Sequence, residues 1–342
     1  MPSVSPPATV VVTGASGFNG SWICKAFLDA GYSVRGTVRN KAKGEYLQKL
    51  FESHGGRFDP VVVEDISQLD TFDKVIDGDV HAVVHVAGII HDSPSNTSDV
   101  FGPNVDSVKG LTNSILKHGK NVKRLIYMSS AQAMLGKELT HIYTEDDWND
   151  GAVALVQEKG HNVDPMIIYA ASKVHAERAL IAFADEHKDI GWDITRMVPA
   201  FCNSFEELNA TSKLFVQYLL ASRDSSKLSD YCSEYTDVRD IADAFVAALQ
   251  TEEAGGERFI VDAGAFTFQN LYDAFHSMDP EEKAIPVGDS EVKFAFPGPF
   301  CNPGKAQKIL KLKNFRSLAE CSYDTFQSLK KRKLLPDAQV LV

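Results

Sequence analysis

The sequence predicts an α/β fold: a doubly wound parallel sheet with helices on both faces and a smaller, interleaved C-terminal lobe. Three observations predict it. Short β-branched runs alternate with amphipathic helical patterns, the first run leads directly into a glycine-rich turn, and the alternation weakens after about residue 200. Strands buried on both faces read as continuous apolar runs, and helices between them supply the crossovers that parallel strands need.

The elements follow in order. Thr9–Thr13 (TVVVT) reads as a buried strand. Residues 21–30 place Trp22, Ile23, Ala26, Phe27 and Ala30 on one helical face, and Gly31 supplies the stop. Ser33–Val38, Pro60–Val63, Ala82–Ala87 and Arg124–Met128 are further strands, with helices expected near 41–53, 68–77 and 104–118. Later come a helical stretch at 206–221, a helix opening at an acidic turn in YTDVRDIADAFVAALQ, and a strand in ERFIVDAG. The tail carries Pro286, Pro297, Pro299 and Pro303, then helical patterns at 304–311 and 317–331. The expected organisation is a disordered tail at 1–7 and a dinucleotide-binding domain over 8–200, to which 236–263 return. Residues 201–235 and 264–342 form the substrate lobe.

Composition narrows the function. With 342 residues, 44% hydrophobic and 24% charged, the chain is a globular protein with ample core. A net charge of −11 argues against general affinity for nucleic acid or anionic membrane, so any bound phosphate needs a local basic site. The cysteines Cys24, Cys202, Cys232, Cys301 and Cys321 are odd in number and lack CxxC spacing, which favours reduced thiols in the cytoplasm over disulfides or zinc. No signal peptide or membrane span is legible. The histidines form no HExxH motif, and no metal is expected.

Chemistry concentrates at three places. In VVVTGASGFNGSW, Gly14, Gly17 and Gly20 are spaced by three after a strand and before a helix. Such a turn brings backbone N–H groups close to a pyrophosphate at a helix N-terminus. At the end of the second strand, VRGTVRNKAKG offers four basic residues between Arg35 and Lys43 and no acid. An acid there would bind ribose hydroxyls and repel a 2′-phosphate, whereas Arg39 and Lys43 attract one, which selects NADPH over NADH. Arg35 and Lys41 individually suit a solvated loop. Asp65, after the third strand, suits either an acceptor for the adenine amino group or an N-cap for the next helix.

The third place is IIYAASKVHAERAL. Tyr169 and Lys173 stand four apart, on one face of a helix. Such a pair arises readily by chance, so its surroundings decide: RLIYMSSA ends a strand in Ser129 and Ser130, at the carboxyl end where open α/β sheets bind ligands.

With these motifs in order, the chain resembles the extended short-chain dehydrogenase/reductases. The likeness narrows to the dihydroflavonol-reductase-like branch and its fungal ketone and aldehyde reductases. Residues that carry it are GTVRNKAK, VVEDISQLDTFD, EDDWND, YAASKVHAE, YTDVRDIADA and KAQKIL…FRSLAECSYDTFQSL, spread over most of residues 9–330. The resemblance implies a Rossmann fold and an NADPH-dependent carbonyl reductase acting reversibly on a small ketone or aldehyde, as a monomer or homodimer. It implies that Tyr169 donates its proton to the substrate carbonyl oxygen. Lys173 would bind the nicotinamide ribose and lower the phenol pKa, and Ser130, rather than Ser129, would hydrogen-bond the same oxygen. It further implies Phe18 in the glycine turn, Asp65 and Ile66 near adenine, Ala87 and Gly88 beside the cofactor, and Pro199 and Ala200 on the nicotinamide side.

Two departures stand out: His85-Val86-Ala87-Gly88 replaces a His-x-Ala-Ser pattern, and AFCNSFEE replaces a Phe-Gly-Pro turn after Pro199. The family's signature for coenzyme A thioesters is absent. Rival expectations are an NAD-dependent nucleotide-sugar epimerase or dehydratase, and an NADP-sensing protein without chemistry. Trp148 and Phe205 are expected in the core by default, with the substrate lobe as the alternative, and Cys202 as a buried thiol, with the pocket lining near Pro199 as its alternative.

Overall fold

The computed structural model describes residues 3–91, 94–136, 138, 140–203, 210–229, 232–292 and 300–335. The first half runs β1 (Thr9–Thr13), α1 (Phe18–Asp29), β2 (Ser33–Val38), α2 (Lys41–Leu50), β3 (Phe58–Val62) and β4 (Val80–His85). Next, α3 (Ser98–Phe101) passes through a π turn at Gly102–Asp106 into α4 (Ser107–His118), before β5 (Arg124–Met128). Two helices, α5 (Asp150–Lys159) and α6 (Pro165–Glu186), precede β6 (Asp193–Pro199). The remainder comprises β7 (Cys202–Asn203), α7 (Ala210–Leu220), β8 (Cys232–Asp237), α8 (Val238–Gln250), β9 (Arg258–Val261) and β10 (Gly264–Thr267). It closes with α9 (Phe268–Met278), α10 (Gly304–Ile309) and α11 (Leu318–Lys331).

Seven strands pair in the order β3-β2-β1-β4-β5-β6-β9, all parallel. Strand order reverses between β1 and β4, which opens the crevice where ligands bind in such sheets. Because side chains alternate across a strand, β1 serves both faces. Val10 and Val12 pack with Ile23, Phe27, Phe245 and Leu249 on one side, and Val11 with Val83, Leu111, Ile115 and Leu180 on the other. Arg124, fully buried, ties strands to helix: its guanidinium donates to Asp193 at 2.6 and 2.9 Å and to the Ala248, Thr251 and Glu252 carbonyls at the end of α8.

A second sheet, β10-β8-β7, lies beyond the carboxyl end of β6 and β9. Its core holds Phe215, Phe266, Tyr272, Phe275 and Phe326. Both Pro297 and Pro299 lie outside the described residues, as do Phe205 and the side chain of Cys202.

Two expectations need correction. Residues 68–77 form successive turns, not a helix: Thr71, Asp73 and Val75 each donate to the carbonyl three residues back. Phe72, Val75 and Ile76 are buried at the spacing that suggested a helix, but Asp65 and Asp73 draw on local and cross-element hydroxyls instead. Residues 3–7, expected as part of a loose tail, are anchored. Val4 is buried, its N–H donates to Leu249 O at 3.1 Å, and its carbonyl accepts from Tyr32 Oη at 2.7 Å.

Candidate active site

The glycines set the first wall. Gly14 adopts φ +67°, which suits glycine, and its N–H donates to Thr37 Oγ1 at 3.0 Å. A Cβ on Gly14 would come within 2.9 Å of Ala87 Cα, and one on Gly20 within 2.1 Å of the Gly14 carbonyl oxygen. Helix α1 therefore starts hard against the turn. Phe18 opens it, Gly17 at the cap position provides no side-chain acceptor, and no acid stands in its first turn. The N–H groups of that turn and the helix dipole suit a pyrophosphate.

Thr13 locks the opposite rim. Its Oγ1 accepts from Val86 N and Ala87 N, both at 3.1 Å, so its hydrogen donates to His85 Nδ1 at 2.8 Å. The imidazole proton then sits on Nε2 and faces Ser107 Oγ at 3.2 Å. Burial, helped by the Lys173 charge, pushes the His85 pKa down to about 3 and keeps the ring neutral. Gly88 follows, where a Cβ would meet Asn104 Oδ1 at 2.6 Å and Lys173 Nζ at 3.3 Å. The small residue in place of the pattern's serine leaves that space to Asn104.

The basic loop divides. Arg35 is committed elsewhere, donating to Val75 O and Asp77, both at 2.8 Å, and lying 3.5 Å from Asp59. Arg39 and Lys43 are exposed at the end of β2 and the start of α2, where Asn40 caps the helix by accepting from Lys43 N at 3.0 Å. Asp65 is exposed, accepts from Ser67 N at 2.9 Å and Ser67 Oγ at 2.6 Å, and is held below the usual carboxylate range by those bonds. It closes a local turn, since no helix follows for it to cap. Ile66 packs half-buried on the core beside β3. Tight glycine turn, open helix N-terminus and Arg39 with Lys43 together fit a dinucleotide carrying an extra phosphate.

The chemistry-bearing side chains meet at the end of β5. Pro165 begins α6 and Asp164 caps it through Met166 N at 2.8 Å, so the helix is set before Tyr169 is reached. Lys173, 4% exposed, donates to Met128 O at 3.1 Å and reaches Tyr127 Oη at 3.4 Å. Its ammonium lies 5.7 Å from the Tyr169 ring centre. Burial pushes Lys173 down to about 8 against the opposing pull of Glu177.

Tyr169 is pushed up to about 12 by burial, with the Ser130 hydrogen bond acting the other way. The expected depression by Lys173 is thus overridden: desolvation of the phenolate dominates, and the phenol keeps its proton. The two serines diverge. Ser130 is half-buried, stands close enough to the Tyr169 phenol to lower its pKa, and caps the turn at Ala131–Ala133, while Ser129 is buried and donates to Glu177 Oε1 at 2.6 Å.

Asn104, Glu177 and Arg258 escaped sequence reasoning. Asn104, carried on the π turn, accepts from Ile89 N at 3.0 Å and donates to Ile89 O at 2.9 Å and Ser172 Oγ at 3.0 Å. It ties the loop after β4 to α6; the advance signal was Gly102-Pro103 just before the helical pattern of 104–118. Glu177 and Arg258 form a buried ion pair at 2.9 Å. Pro199 ends β6 beside Val261, and Ala200, buried, donates its N–H to Val261 O at 3.0 Å. Trp148 lies between two guanidiniums, 4.4 Å from Arg258 and 5.2 Å from Arg178, and packs on α5 and α6.

Among the described residues, no cluster of His, Cys, Asp and Glu could hold a metal, and no helix is long and apolar enough to cross a membrane. The acids Asp237, Asp240 and Asp243 are occupied by Arg239 and Arg316.

The chain is similar to known proteins along most of its length. The model of the NAD dependent epimerase/dehydratase family matches residues 10–264. The NADPH-dependent methylglyoxal reductase of Saccharomyces cerevisiae is 32% identical, over 94% of this chain and 98% of its own. A ketoreductase of Aspergillus niger is 29% identical, over 94% and 97% of the respective chains. A structure from Candida albicans in complex with NADPH superposes with a TM-score of 0.84 at 27% identity, covering 95% of this chain and 99% of that one.

Proposed function

We propose, from the premise that this chain belongs to the NAD dependent epimerase/dehydratase family, that it is an NADPH-dependent carbonyl reductase converting small ketones or aldehydes to alcohols. One observation carries the proposal: Ser130, Tyr169 and Lys173 converge at the end of β5, beside a glycine turn that ends in an open helix N-terminus. The methylglyoxal reductase and ketoreductase relatives support the choice of substrate class.

Bound NADPH supplies the hydride. Gly14, Gly17, Phe18 and Gly20 hold its pyrophosphate, and Arg39 and Lys43 its 2′-phosphate. Ala87, Gly88, Pro199 and Ala200 flank it, and Asp65 and Ile66 lie toward the adenine. Tyr169 Oη carries the proton that the reduced carbonyl oxygen needs, and a phenol held near 12 is protonated at neutral pH. Ser130 offers a second hydrogen bond to that oxygen. Lys173, fixed by Met128 O, stabilises negative charge as the phenol gives up its proton. The described residues of the smaller lobe lie on the substrate side, and the thiols of Cys24, Cys232 and Cys301, which form no disulfide among the described residues, favour a cytoplasmic setting.

The test is oxidation of NADPH with a panel of small ketones, aldehydes and diketones. Turnover by the native chain and none by Tyr169→Phe is expected; equal rates for the two would refute the reading.

A further inference from the structure

A buried carboxylate lies one turn beyond Lys173 on α6. Glu177 is fully buried, and its Oε1 accepts from Ser129 Oγ at 2.6 Å and Arg258 Nη2 at 2.9 Å. Its Oε2 has no hydrogen-bond partner among the described residues. An ionised oxygen without a donor in an apolar interior is costly and needs a compensating positive charge nearby.

Arg258 compensates only in part. Its guanidinium also serves the Glu145 and Asp147 carbonyls at 2.9 and 2.7 Å, and stacks on Trp148. The other charges acting with this carboxylate are Lys173 on its own helix and Arg196 on β6, and Tyr127 on β5, neutral, lies 3.4 Å from the lysine. Around Lys173 stand Tyr127, Tyr169 and neutral His85, none of which is anionic at neutral pH. The i, i+4 spacing from Lys173 to Glu177 keeps lysine and carboxylate on the same face of α6.

We propose that Glu177 is a positioning residue acting through Lys173: clamped by Ser129 and Arg258, it supplies the buried negative charge that holds the Lys173 ammonium protonated beneath the catalytic tyrosine. The inference rests on the role given to Lys173 above. It also assigns Ser129 a purpose distinct from that of Ser130. The adjacent hydroxyls end one strand but point to different partners, one to the charge donor and one to the reacting phenol.

The test titrates Lys173 directly in the cofactor-free protein, by NMR of ¹³C-labelled lysine side chains, with the resonance identified by its loss in Lys173→Met. In the native chain the midpoint is expected near 8. In Glu177→Gln it should fall by about one pH unit or more, the size of effect an opposite charge at short range exerts. Since breaking one side of a buried pair can unfold a protein, Glu177→Leu with Arg258→Met removes both charges, a change that buried pairs often tolerate. The same downward shift is expected there. Glu177→Asp, which keeps the charge, should restore a midpoint near the native one.

An unchanged Lys173 midpoint in whichever of the two charge-removing proteins folds would overturn the proposal. The parent reading fails separately: Lys173→Met that still reduces carbonyls at the native rate would remove Lys173 from catalysis whatever the midpoints.

Discussion

The Lys173 ammonium donates to the carbonyl oxygen of Met128 at 3.1 Å, and this bond fastens α6 to the last residue of β5. The next two residues on that strand end are Ser129 and Ser130, so one contact fixes the spacing between lysine, tyrosine and serine. Helix α6 holds Tyr169 and Lys173, and the turn that follows β5 holds Ser130.

Removing either serine should have a different consequence. Ser130→Ala deletes a donor to the reacting oxygen and should lower kcat by about 10²-fold with little change in stability. Ser129→Ala leaves Glu177 Oε1 with Arg258 alone and should cost about 1–3 kcal/mol of stability, read by urea unfolding.

Cofactor choice should lie with Arg39 and Lys43. Neutralising either is expected to raise KM for NADPH about tenfold, the value of one charge-assisted hydrogen bond, and to leave KM for NADH unchanged. Arg35→Ala should not alter that ratio, because its guanidinium is engaged with Asp77 and Val75 O. Steady-state kinetics with both cofactors checks this.

Gly20 is the least replaceable position of the turn. A Cβ there would lie 2.1 Å from the Gly14 carbonyl oxygen, so turn and helix must separate. Gly20→Ala should lose about 1–3 kcal/mol by overpacking and bind NADPH at least tenfold more weakly, measured by fluorescence titration.

His85 predicts an acid sensitivity. Its folded pKa near 3 lies below the unfolded value of about 6.5, so protons favour the unfolded chain. The stabilisation from the neutral ring is complete above pH 6.5 or so and is lost progressively as pH falls from there toward 3. Between pH 7 and 5 the loss should be roughly 2 kcal/mol, and this part of the slope should vanish in His85→Gln. Urea midpoints at both pH values decide it.

Much of this was legible in the sequence because it rests on local patterns. Strands β1, β2 and β5 have the bounds their β-branched runs suggested, and the glycine spacing located the turn between β1 and α1. Tyr169 and Lys173 share a helix because four residues make roughly one turn. What stayed hidden depends on partners distant in the chain. Glu177 carries no signal in the sequence until Arg258 arrives from β9, and Arg35, which suits a solvated loop, is instead claimed by Asp77. Asn104 reaches Ser172 only because a π turn rotates it inward. The turns at 68–77 carry helical spacing of Phe72, Val75 and Ile76, and side-chain hydrogen bonds overrule it.

The most direct test of the central claim is the rate of NADPH oxidation by the native chain and by Tyr169→Phe, across small ketones, aldehydes and diketones. The account predicts turnover by the native enzyme and a loss of about 10²-fold or more in the variant, with NADPH binding retained. Equal rates in the two proteins, or tightly bound NAD and no carbonyl reduction in the native one, would contradict it.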